Sequence, residues 1–234
     1  MNGRAAERRL RRAVARACYA IATLIDPDIL TCGGDTWRRF REVARSTQNP
    51  SILELSGAGV GLRGALGLRG LHRYTRLGQV GSDAPLVGEA QERGALFKAE
   101  SFDIVMSTSA FEHLAMPWKA VLGINAVMKT GGLLFIRSHQ TFPLHEQPFD
   151  YWRFSDETWK ALLNSATGFE IIHAGMAGPC RIAGCRPESW SVPRDQAAYL
   201  DSAVLARKSG PYAVHRLRWE VRPAEFLGAA TAGR

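Results

Sequence analysis

The sequence predicts an α/β fold with a mostly parallel sheet. Two observations carry that prediction. Short apolar runs that read as strands alternate with segments of helical spacing along most of the 234 residues. The first of those strands runs directly into a stretch punctuated by Gly57, Gly59, Gly61, Gly64, Gly67 and Gly70, where any helix is poor on propensity.

Taken in order, Arg4, Arg8, Arg9, Arg11, Arg12 and Arg16 surround Leu10, Val14, Cys18 and Ile21 at helical spacing, which predicts a basic amphipathic helix. Asp35 can cap a second helix reaching about Ser46, with Trp37, Phe40 and Val43 on one face. Asn49-Pro50 breaks it. Ser51–Leu55 is a short apolar strand. His72–Leu77 is a second, Leu86-Val87 a brief third and Phe102–Ser107 the clearest of all. Pro117–Met128 has helical spacing through Trp118, Val121, Ile124 and Met128. Thr130-Gly131-Gly132 is a turn, and Leu133–Ser138 the next strand. Ser155 caps a helix whose first turn holds Asp156 and Glu157. Phe169–Met176 and Ser202–Lys208 close the regular elements, with 177–199 and 210–234 irregular. The organisation expected is a basic helical N-terminal extension over 1–48, the α/β domain over 49–209 and a basic tail over 210–234.

Composition narrows the function classes. Hydrophobic residues make up 46% and charged residues 22%, so the chain is not disordered throughout. No run approaches ~18 apolar residues, so no transmembrane helix is expected. Four cysteines, Cys18, Cys32, Cys180 and Cys185, are too few for a disulfide scaffold and lack zinc-finger spacing. No metal is therefore expected, and reducing cytoplasm is the simplest compartment. The net charge of +8 sits at the ends: residues 1–46 carry ten Lys/Arg against five Asp/Glu, and 207–234 carry six against two. A nearly neutral centre disfavours nucleic acid as the partner. The basic N-terminal helix is read as packed on the domain or as a peripheral contact with anionic lipid. No clear cleavage site follows it before Asp26, which argues against a signal peptide.

In a parallel α/β sheet the ligand lies beyond the carboxyl ends of the strands. Those ends carry Glu54 to Gly61, Ser107 to Leu114 (STSAFEHL) and Ser138 to Ser155 (SHQTFPLHEQPFDYWRFS). Together with ESFDIVMSTSAFEHLAMPWKAV and MKTGGLLFI, these segments resemble the class I S-adenosylmethionine-dependent methyltransferases in their type 11-like branch, from about Ser51 to Lys208. The resemblance implies a Rossmann-like, doubly wound sheet of seven strands with the last antiparallel, and S-adenosylmethionine as cofactor. It places the donor against Glu54, Ser56, Gly57, Gly59, Glu89, Ala90 and Ser107. Two frames are open for the glycine loop. One puts Ser56, Ala58 and Val60 at the family's glycine positions, and the other slips by one to Gly57, Gly59 and Gly61. The acidic residue usual after the second strand is missing near Leu77-Gly78, with Asp83 the nearest substitute.

A sulfonium methyl is already electrophilic, so such an enzyme needs alignment and, for a hydroxyl acceptor, a base. His139 and His145 are the candidate bases. Asp150 orients one of them or binds the acceptor, while Tyr151 and Arg153 wall it. Alternatively Arg153 is locked to Glu146 or Asp150. His113 reads as structural, and Trp118, Trp152 and Trp159 as packing. A small-molecule or glycan-like hydroxyl is the acceptor expected. Two other readings remain. A degenerate methyltransferase fold could serve as a binding scaffold. Gly59-Val60-Gly61-Leu62-Arg63-Gly64 also fits a dinucleotide fingerprint, but Ser56–Ala58 separate it from the strand. No P-loop or nucleophile-elbow motif is present.

Overall fold

Helix α1 (Gly34–Ser46) begins where Asp35 places a carboxylate in its first turn, and it lays Thr36, Trp37, Phe40 and Ala44 into the interior. The computed structural model describes residues 13, 14, 17, 34–56, 63–68, 73–78, 86–87, 97–180, 182, 198–213 and 215. Most of the basic segment before Gly34 and the tail after Ala213 therefore lie outside the described residues. Asp35 accepts from Arg38 and from Arg39 Nε, the latter at 2.6 Å. Those guanidinium groups hold its carboxyl down at about 2. Thr36 Oγ1 meets His173 Nδ1 at 2.9 Å, which ties the helix to the far edge of the sheet. The helix is thus built into the fold instead of standing apart as part of an N-terminal extension.

Asn49, with φ at 46°, and Pro50 end the helix and turn the chain into β1 (Ser51–Ser56). Short α2 (Arg63–Leu66), β2 (Arg73–Gly78) and the two-residue β3 (Leu86–Val87) follow. Next come β4 (Phe102–Thr108), a 3-10 turn (Phe111–His113) and α3 (Pro117–Val127), where proline opens the helix at no hydrogen-bond cost. The chain continues through β5 (Met128–His139), α4 (Asp156–Leu162), β6 (Phe169–Cys180) and β7 (Ala198–Lys208). The strands lie in the order β3-β2-β1-β4-β5-β7-β6. Neighbours from β3 to β5 run parallel, and β7 is antiparallel to both β5 and β6.

Alternating side chains give the sheet two apolar faces. Ile52, Ile104, Met106, Leu133, Phe135 and Leu205 face α1. There the rings of Phe40 and Phe135 stack at 4.8 Å and Trp37 tilts against both. Leu53, Val105, Leu134, Ile136, Val204 and Ala206 face α3 and α4. Trp159 of α4 is fully buried there and stacks on Phe154 at 4.8 Å. Its Nε1 donates to Ser202 Oγ at 3.0 Å, so the buried indole is satisfied. Ser155 caps α4 through a reciprocal pair of bonds with Thr158.

The strands are longer than the apolar runs suggest. β5 begins at Met128 because Phe102 pairs with Met128 before the register jumps to Ile104 with Leu133. The expected turn at Thr130-Gly131-Gly132 is therefore a bulge within the strand. Gly131 has φ of 83°, and a Cβ at Gly132 would meet backbone oxygens of Lys129 and Asp103 at 2.8 and 2.9 Å. β6 and β7 pair from Phe169 with Lys208 to Cys180 with Ala198, so ordered ladder extends through 177–180 and 198–199, in place of the irregular segment expected there. Among the described residues, no helix is long and apolar enough to cross a membrane.

Two outcomes follow from this packing. Phe135→Ala removes a fully buried ring from the α1 face and should cost about 3–5 kcal/mol in urea unfolding, whereas Ile172→Ala, at an exposed position, should change little. Asp35 has a folded pKa of about 2, below the ~3.9 of an unfolded chain. Its share of stability is complete above pH about 4 and disappears as pH falls toward 2. Asp35→Asn should flatten that acid limb of the stability profile; an unchanged limb counts against the pairing with Arg38, Arg39 and His173.

Candidate active site

The sheet order reverses between β1 and β4, so their carboxyl ends flank the crevice where doubly wound folds bind ligands. Leu55 pairs with Ser107 and Ser56 with Thr108, which brings the two strand ends side by side. Ser107 is fully buried, and its Oγ has no hydrogen-bond partner among the described residues. A buried hydroxyl without a partner is uncommon enough to mark a place where a ligand supplies one.

The other expected donor contacts divide. Gly57, Gly59, Glu89 and Ala90 lie outside the described residues, as does Asp83. Ser56 and Gly78 end β1 and β2 at the same level. Glu54 departs from the expectation. Its side chain has no exposed surface and accepts a hydrogen bond from the Tyr74 hydroxyl on β2. Burial, together with that carboxylate, pushes the Tyr74 hydroxyl's pKa well above its usual value. The Glu54 carboxylate thus braces β1 against β2.

Beyond β4 the chain turns sharply at Ser109, whose φ is 48°, and enters the 3-10 turn that carries Glu112 and His113. Glu112 is fully buried. Its Oε2 accepts from Ser138 Oγ at 2.5 Å, and its backbone oxygen accepts from the amides of Tyr151 and Trp152 at 2.9 and 3.2 Å. The end of β4, the end of β5 and the loop 140–153 are joined through this one residue. His113 Nδ1 meets Phe149 O at 2.9 Å, which holds the loop as a structural histidine would. His113, His139 and His145 cluster here, with ring centroids 4.8 Å apart for His113 and His145 and 5.2 Å for His139 and His145.

The two histidines expected as bases differ. His139 has Nδ1 3.0 Å from Asp201 Oδ1 and Nε2 3.3 Å from Glu112 Oε1, and its ring stacks on Phe142. Carboxylates thus stand against both of its ring nitrogens. His145 has Nδ1 3.2 Å from Pro143 O and 3.3 Å from Asp150 Oδ2, while its Nε2 has no partner among the described residues. Its side chain is 23% exposed.

Asp150 and Arg153, expected to bind an acceptor, spend their charges on each other. Arg153 grips Asp150 with Nη1 at 2.6 Å and Nη2 at 2.7 Å, and also donates to the oxygens of Phe142 and Pro143. Asp150 is 1% exposed and takes the His145 amide as well. The guanidinium holds the Asp150 carboxyl well below its usual range. Tyr151 is exposed, as are Phe142, Leu144, Phe149 and Trp152, so the loop offers an aromatic rim. Trp152 still anchors through Nε1 to Leu114 O at 2.8 Å.

The strand order decides the fold family: parallel β3 to β5, then an antiparallel β7 between β5 and β6. The chain is a class I methyltransferase-fold protein. Residues 74–136 match the family model of the methyltransferase domain. A candidate methyltransferase from Bacillus halodurans C-125 is 16% identical with TM-score 0.55, over 76% of this chain and 100% of that one. A SAM-dependent methyltransferase from Archaeoglobus fulgidus is 17% identical with TM-score 0.52, over 74% and 92%. A Burkholderia thailandensis 1,6-didemethyltoxoflavin N1-methyltransferase is 18% identical with TM-score 0.51, over 86% and 90%. No curated protein matches the sequence. In this methyltransferase fold, Glu112, Ser138 and Asp201 are site residues that sequence reasoning passed over. Glu112 had a signal, since it stands directly beside His113 after the clearest strand.

The Asp150–Arg153 clamp yields a direct expectation. Arg153→Ala strands a buried carboxylate and should cost about 1.5–3 kcal/mol, a charged hydrogen bond's worth. Chymotrypsin should then cut faster between Phe142 and Trp152, and Asp150→Asn should recover part of the loss. Unaltered cleavage would show that the clamp does not hold the loop.

Proposed function

We propose that this protein is an S-adenosylmethionine-dependent methyltransferase acting on an oxygen of a small-molecule or glycan-like acceptor. One observation carries the donor half. At the point where the strand order reverses, Ser107 holds a buried hydroxyl beside the end of β1 that has no partner among the described residues. The described residues fit the donor: Ser107 and Thr108 from β4, and the backbone at Ser56 and Gly78, would hold it, while Gly57, Gly59, Glu89 and Ala90 enter only through the sequence resemblance. When bound, that donor supplies an electrophilic methyl group on a sulfonium. The fold neighbour from Burkholderia thailandensis holds S-adenosylhomocysteine.

The acceptor half rests on the loop 140–153 and the end of β5. Thr108 pairs with Arg137, so the β5 end lies next to the donor crevice. Ser138 and His139 are engaged there with Glu112, and Asp150 with Arg153, which leaves Tyr151 and His145 to meet an acceptor. A hydroxyl suits the imidazole Nε2 of His145 as a hydrogen-bonding partner, and the apolar rim of Phe142, Leu144 and Phe149 suits the body of a ring-bearing molecule. The protein's work is alignment.

The internal pairing of Glu54 with Tyr74 favours a second reading, a binding scaffold that has given up the donor. Calorimetric titration with S-adenosylmethionine and S-adenosylhomocysteine separates the two. Saturable binding of both, weakened in Ser107→Val, is the expected result. A folded protein that binds neither is the scaffold. With an acceptor in hand, His145→Ala should lower kcat by roughly 10²–10⁴-fold.

A further inference from the structure

We propose that Glu112, His113 and His145 form a binding site for a divalent transition-metal ion of the zinc type. Their ligand atoms all lie within 4.8 Å of one another. Two imidazole nitrogens and one carboxylate oxygen make a donor set suited to zinc, cobalt or iron(II), and not to magnesium or calcium. The composition of the chain pointed away from metal because it drew attention to cysteines. This set uses none, and it joins residues separated by more than thirty positions.

Each ligand is already held as a metal ligand is held. Glu112 is fully buried, with Oε2 fixed by Ser138 Oγ at 2.5 Å, while Oε1 has no hydrogen-bond partner among the described residues. A buried, ionised oxygen left without a donor is costly unless a cation meets it. His113 uses Nδ1 on Phe149 O, and His145 uses Nδ1 on Pro143 O and Asp150, so in both rings Nε2 is the nitrogen left for an ion. A backbone carbonyl or carboxylate on the second ring nitrogen is the usual support of a ligating histidine. Other charged groups stand close by. Glu146 Oε2 is 3.4 Å from His113 Nε2, and His139 Nε2 is 3.3 Å from Glu112 Oε1 but off the hydrogen-bond line. Glu146 is half-exposed and has φ at 50°. With three protein ligands, the fourth position of a tetrahedral ion takes water or an acceptor oxygen, which would then meet the cation in place of His145 Nε2.

The site does not depend on methyl transfer, and the test keeps the two apart. The full chain is stripped with chelator and titrated with Co²⁺, followed by its visible ligand-field bands, and with Zn²⁺ by calorimetry. The expected result is one Co²⁺ per chain, displaced by Zn²⁺. His145→Ala and Glu112→Gln should each weaken it by ~10-fold or more, while His173→Ala, on the α1 side, leaves it intact. His145 is half-buried, so that variant serves if the Glu112 variant does not fold. S-adenosylhomocysteine titration of the same samples reports on the donor site separately. No saturable Co²⁺ binding, or binding equally strong in His145→Ala and Glu112→Gln, overturns the proposal whatever the donor does.

Discussion

Burying a carboxylate costs several kcal/mol in desolvation unless its surroundings return the loss. Glu112 is such a carboxylate, and the ends of β4 and β5 and the loop 140–153 are arranged around it. Ser138 donates to one of its oxygens, His139 stands at the other, and the amides of Tyr151 and Trp152 bind its backbone. These contacts come from β5 and from the long loop that follows it. They hold the loop against the end of β4 together with His113 Nδ1 on Phe149 O and Trp152 Nε1 on Leu114 O. The sharp backbone at Ser109 is the local cost of delivering Glu112 to this position.

That arrangement works because the sheet beneath it is rigid. Aromatic stacking of Phe40 on Phe135 closes one face, and Trp159 on Phe154 closes the other. Ser202 links the second stack to β7 through Trp159 Nε1 and Phe154 O. Phe154 N in turn donates to His139 O, so the packed core continues without a break into the polar cluster. A site raised on strand ends inherits the precision of the strands.

Much of the architecture could be read from residue order alone. Ile52, Ile104, Leu134 and Val204 lie in short apolar runs bounded by polar or glycine residues, and each run became a strand. The ladder between β6 and β7 was less visible. Gly175, Gly178 and Pro179 interrupt its pattern, and only pairing across the sheet holds them in line. Reading the site met a different limit. His113, His139 and His145 stood out by residue type, yet which ring nitrogen stays available depends on Asp201, Pro143 and Phe149, which are distant in sequence or contribute only backbone. Glu54 looked like a ligand because of its place before the glycines. Its bond from Tyr74 runs diagonally between two strands, since Tyr74 pairs with Ile52 and Glu54 with Arg76, and local sequence does not show that.

The bidentate lock between Asp150 and Arg153 has a consequence for selectivity. Both charges are quenched against each other, so the guanidinium adds little net charge at the mouth of the loop. An anionic visitor gains nothing from Arg153 without first evicting Asp150. Beside that lock the rim exposes the ring faces of Phe142, Phe149 and Tyr151, with Glu146 an exposed charge among them.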